Sequence, residues 1–178
     1  MFSPFAPERP RRLFLALWPG PGERRQMAAL AANAADRRRV RDDNLHMTLV
    51  FLGATDAEKR GVYESALAGL TVPSLELRLD RYGYWPKSRI LWLGSSQPPP
   101  ELDELVADLN RRLQGCGFVP ENRAFQAHIT LARNFAGPTP KFPPEPPVCW
   151  RIGEVALVES ALGETGSRYR VLRGWPGG

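Results

Sequence analysis

Residues 44–53 read NLHMTLVFLG and residues 127–134 read AHITLARN; these two segments hold both histidines of the chain, His46 and His128, each followed by x-Thr-Leu. Side chains on a strand alternate faces with a period of two. His46, Thr48 and Val50 therefore share one face of the first segment, opposite Leu45, Met47, Leu49 and Phe51. His128, Thr130 and Ala132 share one face of the second, opposite Ile129, Leu131 and Arg133. Each segment reads as a strand with an apolar back and a His-Thr front.

Outward from these strands the pattern is α+β. RRLFLALW (11–18) reads as a buried strand stopped by PGPG, and the Ala- and Arg-rich stretch from Glu23 to about Arg39 as a helix ending in the basic cluster Arg37, Arg38, Arg39 and Arg41. Asp56 to Leu70 reads as a second helix capped by Thr55 or Asp56. LELRLDRYGYW (75–85) and SRILWLG (88–94) read as a hairpin, and PPPELDELVADLNRRLQ (98–114) as the clearest helix, with acids first and arginines last. The Pro-rich stretch 137–147 reads as a semi-rigid connection, followed by strands at 154–160 and 168–175. Each motif strand follows a helix, which implies two related halves within one domain spanning 11–176, after a loose Pro-rich lead-in at 1–10.

The chain has 178 residues and a formal net charge of +5, carried by 21 Arg against only 3 Lys. Arg suits phosphate and stacks on flat rings, so polyanion binding is one reading of this composition; codon bias toward Arg, Ala, Pro and Gly is the other. Cys116 and Cys149 form no CxxC and read as free thiols, with one disulfide as the alternative. LFLALW (13–18) is too short to span a membrane and lacks the features of a signal peptide, so the expected setting is the cytoplasm.

Two such strands side by side would gather two imidazoles and two hydroxyls. Histidine titrates nearest neutrality, so a pair can hold a base and an acid together, while Thr hydroxyls donate to phosphate oxygens without adding charge. That set serves phosphodiester cleavage with no cofactor. A lone strand His is ordinarily structural; two copies that use every His in the chain point to function. Zn²⁺ draws on three or four ligands, whereas no third His exists and neither motif strand holds a carboxylate, so a metal site is the weaker reading.

The paired H-x-T-L motifs, together with RLFLALWP, DNLHMTLVFLG, RILWLG, AHITLARN and the tail VALVESALGETGSRYRVLRGWP, resemble the 2H phosphoesterase superfamily, in its bacterial RNA 2′,3′-cyclic phosphodiesterase (2′-5′ RNA ligase) branch. The resemblance implies a bilobal fold of two pseudo-symmetric antiparallel-sheet lobes with helices outside and a central cleft. It implies an enzyme that needs no metal and opens the 2′,3′-cyclic phosphate at an RNA end to a 2′-phosphate; in reverse, with the two His roles exchanged, the same reaction would join RNA ends by 2′-5′ bonds. A monomer is expected. Carried over by position, His46 becomes the general acid and His128 the general base; Thr48 and Thr130 hold the phosphate, and Phe51 and Arg133 stack on the terminal base. Strict alternation puts Phe51 and Arg133 opposite the histidines, which reads as a core ring and a surface charge; a bulge or twist at the strand ends would instead let both reach the cleft mouth. Ala127, Val50 and the RRRVRDD stretch (37–43) depart from the family pattern, and the arginines there are candidates for replacement phosphate contacts or for a solvated helix end. Rival functions are a phosphodiesterase for 2′-5′ oligonucleotides or small cyclic phosphates, and a non-catalytic protein that binds RNA ends.

Overall fold

Strand β1 (Arg11–Leu17) is apolar from Leu13 onward, where both of its faces are covered. Leu13, Leu15 and Leu17 join the main core, while Phe14 and Ala16 join a smaller cluster on the opposite face, packed by Trp18 and Tyr169. The computed structural model describes residues 9–35, 38–163 and 166–177. Helix α1 (Pro21–Ala34) follows, then a 3-10 turn (Asp42–Asn44), β2 (Met47–Thr55), α2 (Ala57–Ala66), β3 (Leu75–Leu79), β4 (Arg81–Trp85), β5 (Ile90–Gly94), α3 (Pro100–Gln114), β6 (Ile129–Ala132), β7 (Val148–Ile152), β8 (Glu154–Gly163) and β9 (Gly166–Pro176).

All strand pairings between these elements are antiparallel. They form a four-stranded sheet in the order β2-β1-β8-β9, a three-stranded sheet β4-β5-β6 and a ribbon β3-β7. The two motif strands, β2 and β6, are each an edge strand paired with the strand that precedes a helix. β1-α1-β2 and β5-α3-β6 are thus the same unit used twice. The helices cross over: α1 packs against β6 and β7, and α3 against β2 and α2. One apolar cluster therefore runs from Leu15 and Met47 of the first sheet through Met27 and Leu109 to Leu93 and Leu131 of the second.

The helices have local causes. In α3 the buried Leu102, Leu105, Val106, Leu109 and Leu113 recur at helical spacing, with Glu101 and Asp103 in its first turn and Arg111 and Arg112 in its last, matching the helix dipole at both ends. Asp56 caps α2 by accepting from the Lys59 amide at 2.8 Å.

Four expectations change. Helix α1 stops at Ala34, short of the basic cluster, because the chain beyond it pairs with the free edge of β6 instead. The Val40 amide donates to Leu131 O at 2.7 Å and the Arg133 amide to Arg38 O at 3.2 Å, making Arg38–Val40 extended rather than a helix end. Of that cluster, Arg37 lies outside the described residues, as does most of the 1–10 lead-in. The run 75–85 is two strands, not one: Asp80 accepts from the Ser96 amide at 2.7 Å and its hydroxyl at 2.8 Å, turning a corner between β3, which pairs with β7, and β4, which pairs with β5. Strand β7 itself was not expected, although Val148, Trp150 and Ile152 are buried and Cys149 and Arg151 exposed in strict alternation. The final two strands extend further toward each other than expected, as one hairpin. Cys116 and Cys149 are free thiols.

Candidate active site

Both motif strands carry a bulge at the same place. Leu15 pairs with Val50 and Ala16 with Thr48, leaving Leu49 without an opposite residue; Leu91 pairs with Ala132 and Trp92 with Thr130, leaving Leu131 so. An extra residue inverts the alternation beyond it. Consecutive residues Leu49 and Val50 are accordingly both buried, as are Leu131 and Ala132, and the next residue in each strand emerges on the His-Thr side. Phe51 is 49% exposed beside Thr48, and Arg133 is exposed beside Thr130. The Leu of H-x-T-L is therefore the bulge residue that places an aromatic ring and a guanidinium at the cleft.

The two histidines are held alike. His46 Nδ1 lies 2.6 Å from Asn44 O and His128 Nδ1 lies 2.8 Å from Gln126 O. A carbonyl only accepts, so Nδ1 is the donor in each ring and Nε2 carries the exchangeable lone pair. His46 Nε2 is 3.0 Å from Thr48 Oγ1, whose hydroxyl donates to the neutral ring. Asn44, which sets His46, is itself buried and donates through its side chain to Ser167 O at 2.7 Å, tying the motif to the β8–β9 hairpin.

Aromatic walls flank both rings. Trp18 stacks on His46 at 5.4 Å between centroids, Phe14 lies at 5.0 Å, and Tyr169 meets it edge-on at 5.1 Å. Trp85 meets His128 edge-on at 4.5 Å. The sequence contained a signal for the first wall: Phe14, Ala16 and Trp18 alternate along β1, and the β1–β2 pairing carries that row next to the His-Thr row. Burial lowers the His46 pKa to about 4, against the raising effect of the Asn44 carbonyl; Arg133, His128 and Arg24 lower it further. Burial is also the main cause lowering His128, opposed by Gln126 O and reinforced by Arg123 and Arg133. Both rings are neutral at pH 7 in the unliganded protein.

The four motif side chains open onto two adjoining recesses, and the motifs cross between them. A cavity of about 770 Å³ takes Thr48 and Phe51 from the first motif and His128 from the second, with Trp85, Phe125 and Arg123 on its walls. A smaller recess of about 200 Å³ takes Thr130 and Arg133 from the second motif and His46 from the first. Phe51 and Arg133 thus flank the His-Thr cluster from opposite recesses. Among the described residues no group of three or more His, Cys, Asp or Glu converges as a metal site would require. No described helix is long and apolar enough to cross a membrane.

Comparison with known proteins gives a consistent result. The family model of the 2′-5′ RNA ligase superfamily matches residues 17–164. The chain is 36% identical over 138 residues to the RNA 2′,3′-cyclic phosphodiesterase of Escherichia coli K12, covering 78% of each. It is 31% identical over 118 residues to the protein of the same name from Bacillus subtilis, covering 64% of this chain and 62% of that one. Among solved structures it superposes on apo LigT of E. coli with a TM-score of 0.87 at 33% identity, covering 95% of this chain and 98% of the other. LigT complexed with 3′-AMP gives 0.86, also at 33% identity, covering 94% and 98%.

Proposed function

The chain belongs to the 2′-5′ RNA ligase superfamily, and from that premise we propose that it is an RNA 2′,3′-cyclic phosphodiesterase working by two-histidine acid–base catalysis. One observation supports the mechanism: two imidazoles of fixed tautomer, each two residues from a motif Thr, line adjoining recesses that share the two motifs between them. The cyclic phosphate lies among them, with the Thr48 and Thr130 hydroxyls on its non-bridging oxygens. His128 Nε2 takes a proton from water as the water oxygen bonds to phosphorus. The bond from phosphorus to the 3′ oxygen breaks, and that oxygen receives the proton of His46 Nε2. The product is a 2′-phosphate beside a free 3′-hydroxyl. A 5′-hydroxyl RNA end in place of water would be joined through a 2′-5′ bond by the same groups.

The acid role asks His46 to bind a proton that it lacks in the free protein. The substrate supplies the reason for it to do so. An anionic phosphate against the ring favours imidazolium and offsets the repulsion from Arg133. Phe51 and Arg133, exposed on either side, stack on the terminal base; stacking tolerates any base, which suits varied RNA ends.

The test is a short RNA ending in a 2′,3′-cyclic phosphate, incubated with the protein in EDTA. A 2′-phosphate end should appear, and His46→Ala and His128→Ala should each lower kcat by about 10²–10⁴-fold. Turnover that survives both substitutions would remove the two-histidine mechanism, and turnover that appears only with added divalent metal would replace it with metal chemistry.

A further inference from the structure

The smaller recess holds more positive charge than one cyclic phosphate can use. Arg38, Arg39, Arg41 and Arg133 line it with no carboxylate among its described lining residues. A cyclic phosphate is a monoanion with two non-bridging oxygens, already addressed by two Thr hydroxyls and two imidazoles. Arg133 shares the recess with His46 and Thr130, on the side of the reacting group.

Their placement is built rather than incidental. The pairing of Arg38–Val40 with the β6 edge fixes the backbone of Arg38 and Arg39 directly alongside Leu131, Ala132 and Arg133. The Arg38 guanidinium donates to Asn134 O, which holds its side chain along that edge. Neither Arg38 nor Arg133 has a carboxylate partner among the described residues. The ion pairs of Arg39 with Asp42 and of Arg41 with Asp43 are exposed, the kind that contributes little and exchanges readily for another anion.

We propose that the side of this recess formed by Arg38, Arg39 and Arg41, next to the side where His46 and Thr130 meet the reacting group, is a second phosphate subsite, holding the phosphodiester one nucleotide upstream of the reacting cyclic phosphate, so that the enzyme selects polynucleotide ends over 2′,3′-cyclic mononucleotides. The assignment rests on the reading above that the reacting phosphate lies among the two motifs. Guanidiniums suit this task because they offer paired donors to phosphate oxygens and stay charged at every working pH.

The experiment compares kcat/KM in EDTA for a 2′,3′-cyclic mononucleotide and for an RNA tetranucleotide with the same cyclic end, using the parent and the double variant Arg38→Gln/Arg39→Gln. The parent should favour the tetranucleotide by about tenfold or more, with a steeper fall as salt rises. The double variant should lose about tenfold on the tetranucleotide, mainly through KM, and less than twofold on the mononucleotide. Equal loss on both substrates, or none on either, would overturn the subsite. If the parent turns over neither substrate, the phosphodiesterase reading fails instead. Anisotropy of a labelled tetranucleotide then decides separately: weaker binding by the double variant supports the subsite, and unchanged binding overturns it.

Discussion

At the scale of the residue, His46 shows how a neutral ring is made. Stacked on Trp18 and boxed by Phe14 and Tyr169, it loses most of the water that would solvate a charge. Because kcat/KM reports the free protein, and both histidines there have lowered pKa values, the singly protonated pair becomes scarce as pH rises above 6.5. The kcat/KM profile should therefore peak on the acid side, between about 4 and 6.5, and its alkaline limb should lie below that of kcat, since bound phosphate favours the protonated ring. A kcat/KM that stays level up to pH 8 would show that no such proton is required. Trp18→Ala, by admitting water, should raise the His46 pKa in an NMR titration and carry the kcat/KM profile upward with it. Stability follows the same shift. Between about 4 and 6.5 the unfolded chain binds a proton that the folded His46 refuses, so stability should fall as pH falls through that window. Thermal melts of the parent against His46→Gln should show the parent losing more over it. The sequence named His46, Thr48, His128 and Thr130 because their spacing is a local pattern. It could not show the aromatic walls, which arise from strand pairing, nor that the bulges at Leu49 and Leu131 turn Phe51 and Arg133 inward.

At the scale of the element, the second sheet supports His128 through a chain of rings. Trp85 abuts His128, and Trp92 lies against Trp85 at 5.5 Å. Trp92 fits because Gly83 opposite it has no side chain; a Cβ there would stand 1.9 Å from its ring. Gly83→Ala must therefore displace Trp92, and with it the ring packing on which Trp85 and His128 rest. The expected result is a destabilisation of about 1–3 kcal/mol in urea unfolding, together with a kcat loss larger than the change in KM. Unfolding and kinetics both like the parent's would show that the wall is dispensable. Helix α3 was legible because its own residues decide it, through periodicity and charged ends. Helix α1 was legible at its start and misjudged at its end, where pairing with β6 outweighs helix propensity. The corner at Asp80 depends on Ser96, sixteen residues on, and no local pattern marks it. Strand β7 had the right alternation, but in a five-residue run after a Pro-rich stretch, where a local pattern decides little.

At the scale of the whole molecule, the proposed reaction needs His46 and His128 in register although their motif strands belong to different sheets. Nothing covalent near the cleft enforces this; the crossed helices do. Helix α3 follows a strand of the second sheet yet packs on β2 of the first, and α1 does the converse with β6. The two sheets share one apolar cluster, with Leu109 of α3 wholly buried inside it. Two lobes joined in this way should unfold as one cooperative unit. Leu109→Ala should then destabilise the protein by about 2–5 kcal/mol, because the cavity it leaves belongs to both lobes. Native-state hydrogen exchange separates the alternatives. With one unit, the slowest amides of β1 and β2 and those of β5 and β6 report the same opening free energy, and the variant lowers both by the same amount. With independent lobes, the variant would lower one set and leave the other at the parent's value. The first result would make the crossed helices the device that keeps the two imidazoles aligned, and would predict that kcat falls with stability in variants along α3 far from the cleft.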